Sequence, residues 1–150
     1  MGRRHRDRPA AAALAGPAAL QAVVFVVSGL WPLVHYRSFV AITGPKADDW
    51  LVRTVGLLIA VIGGALGLAA RRQQVTQELA ALGIAASGAL AAVDVYYVGR
   101  GRISRIYLLD ALLEFSFILW WALALAASRA ARGEATLVGE TAGPAGQDAT

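Results

Sequence analysis

The chain contains no cysteine, which excludes a disulfide framework, a thiolate metal site and thiol-based catalysis or redox exchange. It is also poor in charge. Only 16% of its 150 residues are Asp, Glu, Lys or Arg, where a soluble domain carries about 25%. Hydrophobic residues reach 57% and the mean hydropathy is +0.56. Together these exclude an ordinary soluble globule, a coiled coil and a nucleic-acid-binding domain. The net charge of +4 does not bring nucleic acid back. The basic residues, 13 Arg and the single Lys46, sit in short groups beside apolar runs, where membrane proteins carry their orientation signals. No Ser-His-Asp order, phosphate-cradling glycine loop or HExxH helix is present.

What remains is long apolar runs. A membrane helix needs about 20 mostly apolar residues, and only helices or closed barrels satisfy their backbone in lipid. No ten-residue alternating strands of the barrel type occur. The expected fold is therefore all-α, a four-transmembrane-helix up-down bundle, with spans at about 14–36, 50–70, 76–98 and 105–128. Residues 1–8 read as a basic cytoplasmic N-terminus, 9–128 as the transmembrane domain and 129–150 as a disordered C-terminal tail. The first apolar core is longer than that of a cleaved signal peptide and ends in aromatic residues, so it reads as a retained span. With the N-terminus inside, eight Arg fall in the cytoplasm and five Arg plus Lys46 outside. That bias favours a multi-pass protein of a bacterial inner membrane, N-in and C-in.

Short links at 71–74 and 99–104 predict that consecutive helices pack as antiparallel neighbours. On the second span Gly56, Ala60, Gly64 and Gly67 line a small-residue stripe, and Gly63 and Gly67 have GxxxG spacing. Such a face lets helix backbones approach closely, inside the bundle or between copies.

Asp94 and Asp110 lie eight residues either side of position 102, which places them at one depth on adjacent helices. Glu114 lies one turn deeper, and Tyr107, Asp110 and Glu114 share one face. Ser87 and Asp94 share a face of the third span, with Tyr97 close to it. Gln21, Ser28 and His35 form a stripe on the first. A charged group at mid-helix costs about 2.5–3.5 kcal/mol, so these carboxyls must be paired, protonated or wet. Arg53 is the expected partner, and Glu114, the deepest, the expected protonated member. The candidate ligand- or proton-binding residues are Arg53, Asp94, Asp110, Glu114, Tyr107, Tyr97 and His35. The bland alternative is a buried ion-pair network that only fixes helix register. No catalytic residue is identified. No metal or cofactor is expected, since His35 has no second ligand nearby. Tyr96, Tyr97, Trp31, Trp50, Trp120 and Trp121 read as interfacial aromatic belts, and Asp48 and Asp49 as helix-capping residues.

The stretch Ser38-Phe39-Val40-Ala41-Ile42-Thr43-Gly44-Pro45-Lys46-Ala47-Asp48-Asp49-Trp50-Leu51-Val52-Arg53-Thr54-Val55-Gly56 resembles a segment common to small bacterial four-helix membrane proteins of unassigned function. In helix number and size the chain is also loosely similar to DoxX-like proteins, some of which are linked to quinone or thiol redox systems. It lacks the cysteines that some of those systems use. The first resemblance implies that loop and second helix act as one unit. One expectation is a loop folded over the outer end, bringing Lys46, Asp48 and Arg53 near Asp94 and Asp110, with Lys46, Asp48 and Asp49 as the loop's candidate site residues.

The leading functional reading is a ligand- or partner-binding membrane protein that acts through its outer polar cluster. A lipid- or quinone-linked enzyme or redox accessory and a proton-coupled transporter are the alternatives. The lipid bilayer is the expected partner, with a homo-oligomer or a membrane partner subunit left open, and no nucleic acid.

Overall fold

The computed structural model describes residues 8–141 along the backbone and 12–131 with their side chains. Among the described residues five helices follow one another: α1 (Arg8–Val34), α2 (Tyr36–Thr43), α3 (Asp49–Arg71), α4 (Gln77–Gly99) and α5 (Tyr107–Thr141). No strand occurs among the described residues. Four segments are long and apolar enough to cross a membrane: Ala12–Val34, Asp49–Arg71, Gln77–Gly99 and Tyr107–Ala131. The fold is the all-α four-helix bundle expected from the apolar runs. We call the end carrying α2 and the 100–106 link the upper end, and the end carrying the 72–76 link the lower.

Two segments differ from expectation. The first loop holds a short helix, α2, and α5 runs on to Thr141, past the boundary at 128. The extension is rich in Ala and Arg, both good helix formers. Residues added to an existing helix also escape the nucleation penalty. The rest of the tail and residues 1–7 lie outside the described residues.

Helix ends follow local chemistry. The Leu79 N–H donates to the Thr76 side chain at the start of α4. After Gly99, the Arg102 N–H reaches back to the Tyr97 carbonyl around Gly101 at φ +65°. The same closure ends α3, where the Gln74 N–H meets the Ala69 carbonyl. There the left-handed position is held by Gln73 at φ 52°, with its side chain donating to the Ala70 carbonyl. Glycine is the usual occupant of such a position. Asp48 precedes α3 in extended conformation but makes no side-chain cap bond. Asp49 stands in the first turn, where a negative charge meets the helix dipole favourably.

Helix α1 is the centre of the bundle. It packs most closely on α3 along one side and on α5 along the other, and α4 packs on α5. The short 72–76 link does not make α3 and α4 packed neighbours, for they touch little. The reason is the glycine face of α3, which fits the α1 backbone. A methyl carbon on Gly56 would stand 2.5 Å from the Gly29 carbonyl oxygen, and one on Gly63 2.8 Å from Phe25 Cβ. One on Gly67 would lie 3.3 Å from Ala22 Cβ. The contact stripe is thus Gly56, Ala60, Gly63 and Gly67. Gly64, expected on it, faces open space.

Candidate functional site

Three elements meet at the middle of the bundle. Gln21 of α1 is fully buried, and its Nε2 donates to both the Gly83 carbonyl and Ser87 Oγ of α4, each at 2.9 Å. Trp121 Nε1 of α5 donates to Gln21 Oε1 at 2.7 Å. The approach requires Gly83, since a methyl carbon there would lie 2.7 Å from Gln21 Oε1 and 3.0 Å from Trp121 Nε1. Trp121 was expected in an interfacial belt. Instead it is 0% exposed, within the core with Leu14, Ala18, Leu66 and Phe117. It lies 14 residues into α5, about 21 Å from the helix start, too deep for the upper interface. Trp120, one position earlier and on the other side of α5, is 40% exposed.

From this junction a polar seam climbs between α4 and α5. The Ser87 hydroxyl faces the Glu114 carboxyl, and one turn higher Asp110 and Asp94 face each other. Asp94 is 6% and Glu114 2% exposed, and Asp94 Oδ2 and Glu114 Oε2 are buried with no hydrogen-bond partner. Asp110 is half-buried. The arrangement follows from spacing: eight residues either side of the turn fix depth, and seven-residue repeats fix the face.

The structure does not join the expected cation to this seam. Arg53 is exposed, with its guanidinium 5.2 Å from the centre of the Tyr36 ring. It makes no ion pair with Asp94, Asp110 or Glu114. The cause is the packing order: α3 lies against α1, while the carboxyls line the seam of α4 with α5.

Above the seam, the first loop does reach α5, through Lys46. Its Nζ donates to Tyr107 Oη at 2.7 Å and to the Thr43 carbonyl at 3.2 Å. It also lies over the Tyr107 ring at 4.7 Å and the Phe39 ring at 5.7 Å. Asp48 and Asp49 are exposed and are not drawn into the seam. His35 serves the short helix: the Ser38 N–H donates to His35 Nδ1 at 3.2 Å and Trp31 Nε1 to Ser38 Oγ at 2.8 Å. Tyr97 is exposed and packs edge-on against Tyr96. The residues brought together are therefore Asp94, Asp110 and Glu114, with Tyr107 and Lys46 above and Ser87 and Gln21 below.

No family model, curated protein or solved structure matches the chain. The site therefore rests on its own geometry. Among the described residues no group of three or more His, Cys, Asp or Glu is arranged to hold a metal ion.

The Lys46–Tyr107 contact is open to a double-mutant test. Lys46→Met and Tyr107→Phe are each expected to destabilise the detergent-solubilised protein by about 1 kcal/mol. The double mutant should lose less than the sum, as read from SDS-induced unfolding. Strict additivity would show that the two groups do not interact.

Junction residues were only half visible in the sequence. Gln21 and Ser87 stood on polar stripes, but nothing singled out Trp121 as their partner. A signal was available: Gln21 and Ser87 lie near the middles of their spans, where a buried amide needs donors and acceptors from other helices.

Proposed function

We propose that the protein is a small multi-pass membrane protein that binds a small cationic ligand through the Asp94, Asp110 and Glu114 carboxyls. The observation that carries this reading is the pair of buried carboxyl oxygens, Asp94 Oδ2 and Glu114 Oε2, with no donor from the chain. Buried polar groups are almost always paired, and an unpaired charge in a membrane is expensive. Arg53 is engaged on Tyr36, Lys46 on Tyr107 and Arg100 on Tyr96, while the exposed Arg102 and Arg105 of the link above make no ion pair with these carboxyls. An ammonium or guanidinium group supplies both the charge and the N–H donors that the seam lacks. In the N-in, C-in orientation of a bacterial inner membrane, the seam lies in the outer half of the bundle, below the Lys46 loop.

The polar path ends at the Gln21–Trp121 junction, and below it the core is Leu14, Ala18, Leu66, Ala80 and Ala124. That apolar floor favours a binding site over a route through the membrane.

The test is thermal unfolding of the detergent-solubilised chain with millimolar ethylammonium, guanidinium or choline, each against sodium chloride of equal ionic strength. At least one organic cation should raise the melting temperature. The combined Asp94→Asn, Asp110→Asn and Glu114→Gln variant should stay monodisperse and lose the rise. An unchanged wild-type melting point with all three cations, or an equal rise in the variant, would overturn the proposal.

A further inference from the structure

A second feature lies on the opposite side of α1, where neither α4 nor α5 takes part. An open groove of about 520 Å³ runs between α1 and α3 toward the lower end of the bundle. Its floor is made of residues with little or no side chain: Ala15, Ala19, Ala22, Gly63, Gly64 and Gly67. Val23, Val26 and Val27 of α1 add larger apolar side chains to the lining. From Ala15 to Val27 the groove follows thirteen residues of α1, or about 18 Å of helix. That is close to the depth of one leaflet, about half of a 30 Å hydrocarbon core. One charged residue lines it, Arg71, together with Gln73 in the turn that ends α3. Arg71 is exposed and makes no ion pair among the described residues.

We propose that this groove holds an acyl chain of an anionic phospholipid whose phosphate is bound by Arg71. Three features select that occupant. The floor is apolar over a leaflet's depth, as a hydrocarbon tail requires. The groove opens sideways, where lipid is the solvent of a spanning helix pair. Its lone charge is a guanidinium at the level where headgroups lie, and its fork of N–H donors matches phosphate oxygens. Basic pockets between membrane helices are a recognised setting for anionic headgroups.

Gly64 supplies a clean test, because a side chain there meets nothing within 4 Å. Gly64→Leu fills the groove and leaves the contacts of α1 with α3 in place. Gly88 of α4 also faces open space, so Gly88→Leu controls for the change of residue type. The full chain in detergent is mixed with phosphatidylglycerol or phosphatidylcholine of identical acyl chains and examined by native mass spectrometry. We expect one phosphatidylglycerol per chain, retained about fivefold more than phosphatidylcholine, the ratio for roughly 1 kcal/mol per basic residue. Arg71→Gln should bring the two lipids level, and Gly64→Leu should reduce retention of both, while Gly88→Leu changes neither. Equal retention of the two lipids by the wild type would overturn the proposal. So would undiminished phosphatidylglycerol on the Gly64→Leu variant. A shift from dimer to monomer in that variant with lipid retention unchanged would instead assign the groove to a second copy of the chain.

Discussion

Gly29→Ala will separate α1 from α3 and produce the largest loss of stability of any single methyl added to this protein. A carbon at that position collides with the Gly56 carbonyl oxygen and stands 2.9 Å from the Ala60 backbone nitrogen. Both obstacles are backbone, so no flexible side chain can swing away. Overpacked cores typically lose about 1–3 kcal/mol and sometimes more. With two rigid helices in contact we expect the upper end of that range, about 3 kcal/mol. The measurement is the SDS mole fraction at which the detergent-solubilised protein unfolds. Gly64→Ala is the internal control: it adds the same methyl to the partner helix in open space, and should be neutral or slightly stabilising, because Ala is the better helix former. Equal behaviour of the two variants would mean that α1 and α3 do not touch through Gly29.

Gln21→Leu is the second large effect. The substitution keeps an apolar side chain of similar reach but strips the Trp121 indole N–H and the Gly83 carbonyl of their shared partner. Leaving a buried polar group unsatisfied costs about 1–3 kcal/mol, and the same SDS titration should show a loss of about 2–3 kcal/mol. The diagnostic arm is Trp121→Phe in the Gln21→Leu background. Removing the stranded N–H should restore part of the loss, so the double mutant is more stable than the sum of the single changes predicts. Simple additivity would show that the two side chains are not bonded to each other.

The fold was legible because its main signal, the length of uncharged runs, is local. The depth of the carboxyls was legible for a similar reason. Asp94 and Asp110 are equidistant from one short turn, so helical rise alone sets them level. The neighbours of Arg53 were not legible. Its distance from the carboxyls depends on which helix α3 packs against, and the short link expected at 71–74 suggested α4. The choice of α1 comes from a backbone fit between Gly29 and Gly56, a pairing across two helices that no single periodicity encodes. Trp121 was misplaced by the same kind of gap. Aromatic residues near a run's end resemble an interfacial belt, and only the continuation of α5 to Thr141 puts this one well inside its helix. Lys46 lies between: the resemblance of residues 38–56 implied a loop folded over the outer end, but not that Tyr107 would receive Lys46.

The central place of α1 also sets an order of assembly. A chain leaves the ribosome N-terminus first, so α1 and α3 are available to each other while the rest is still being made. Helix α4 then enters the bilayer with Gln21 of α1 at hand for Ser87, but carrying Asp94, whose partner Asp110 lies on a helix not yet synthesised. It touches α3 little, and so gains little shelter from the helix just before it. Only the arrival of α5 covers Asp94 and brings Trp121 to Gln21. Until the last helix enters, the nascent protein thus presents an uncovered carboxyl to the surrounding lipid.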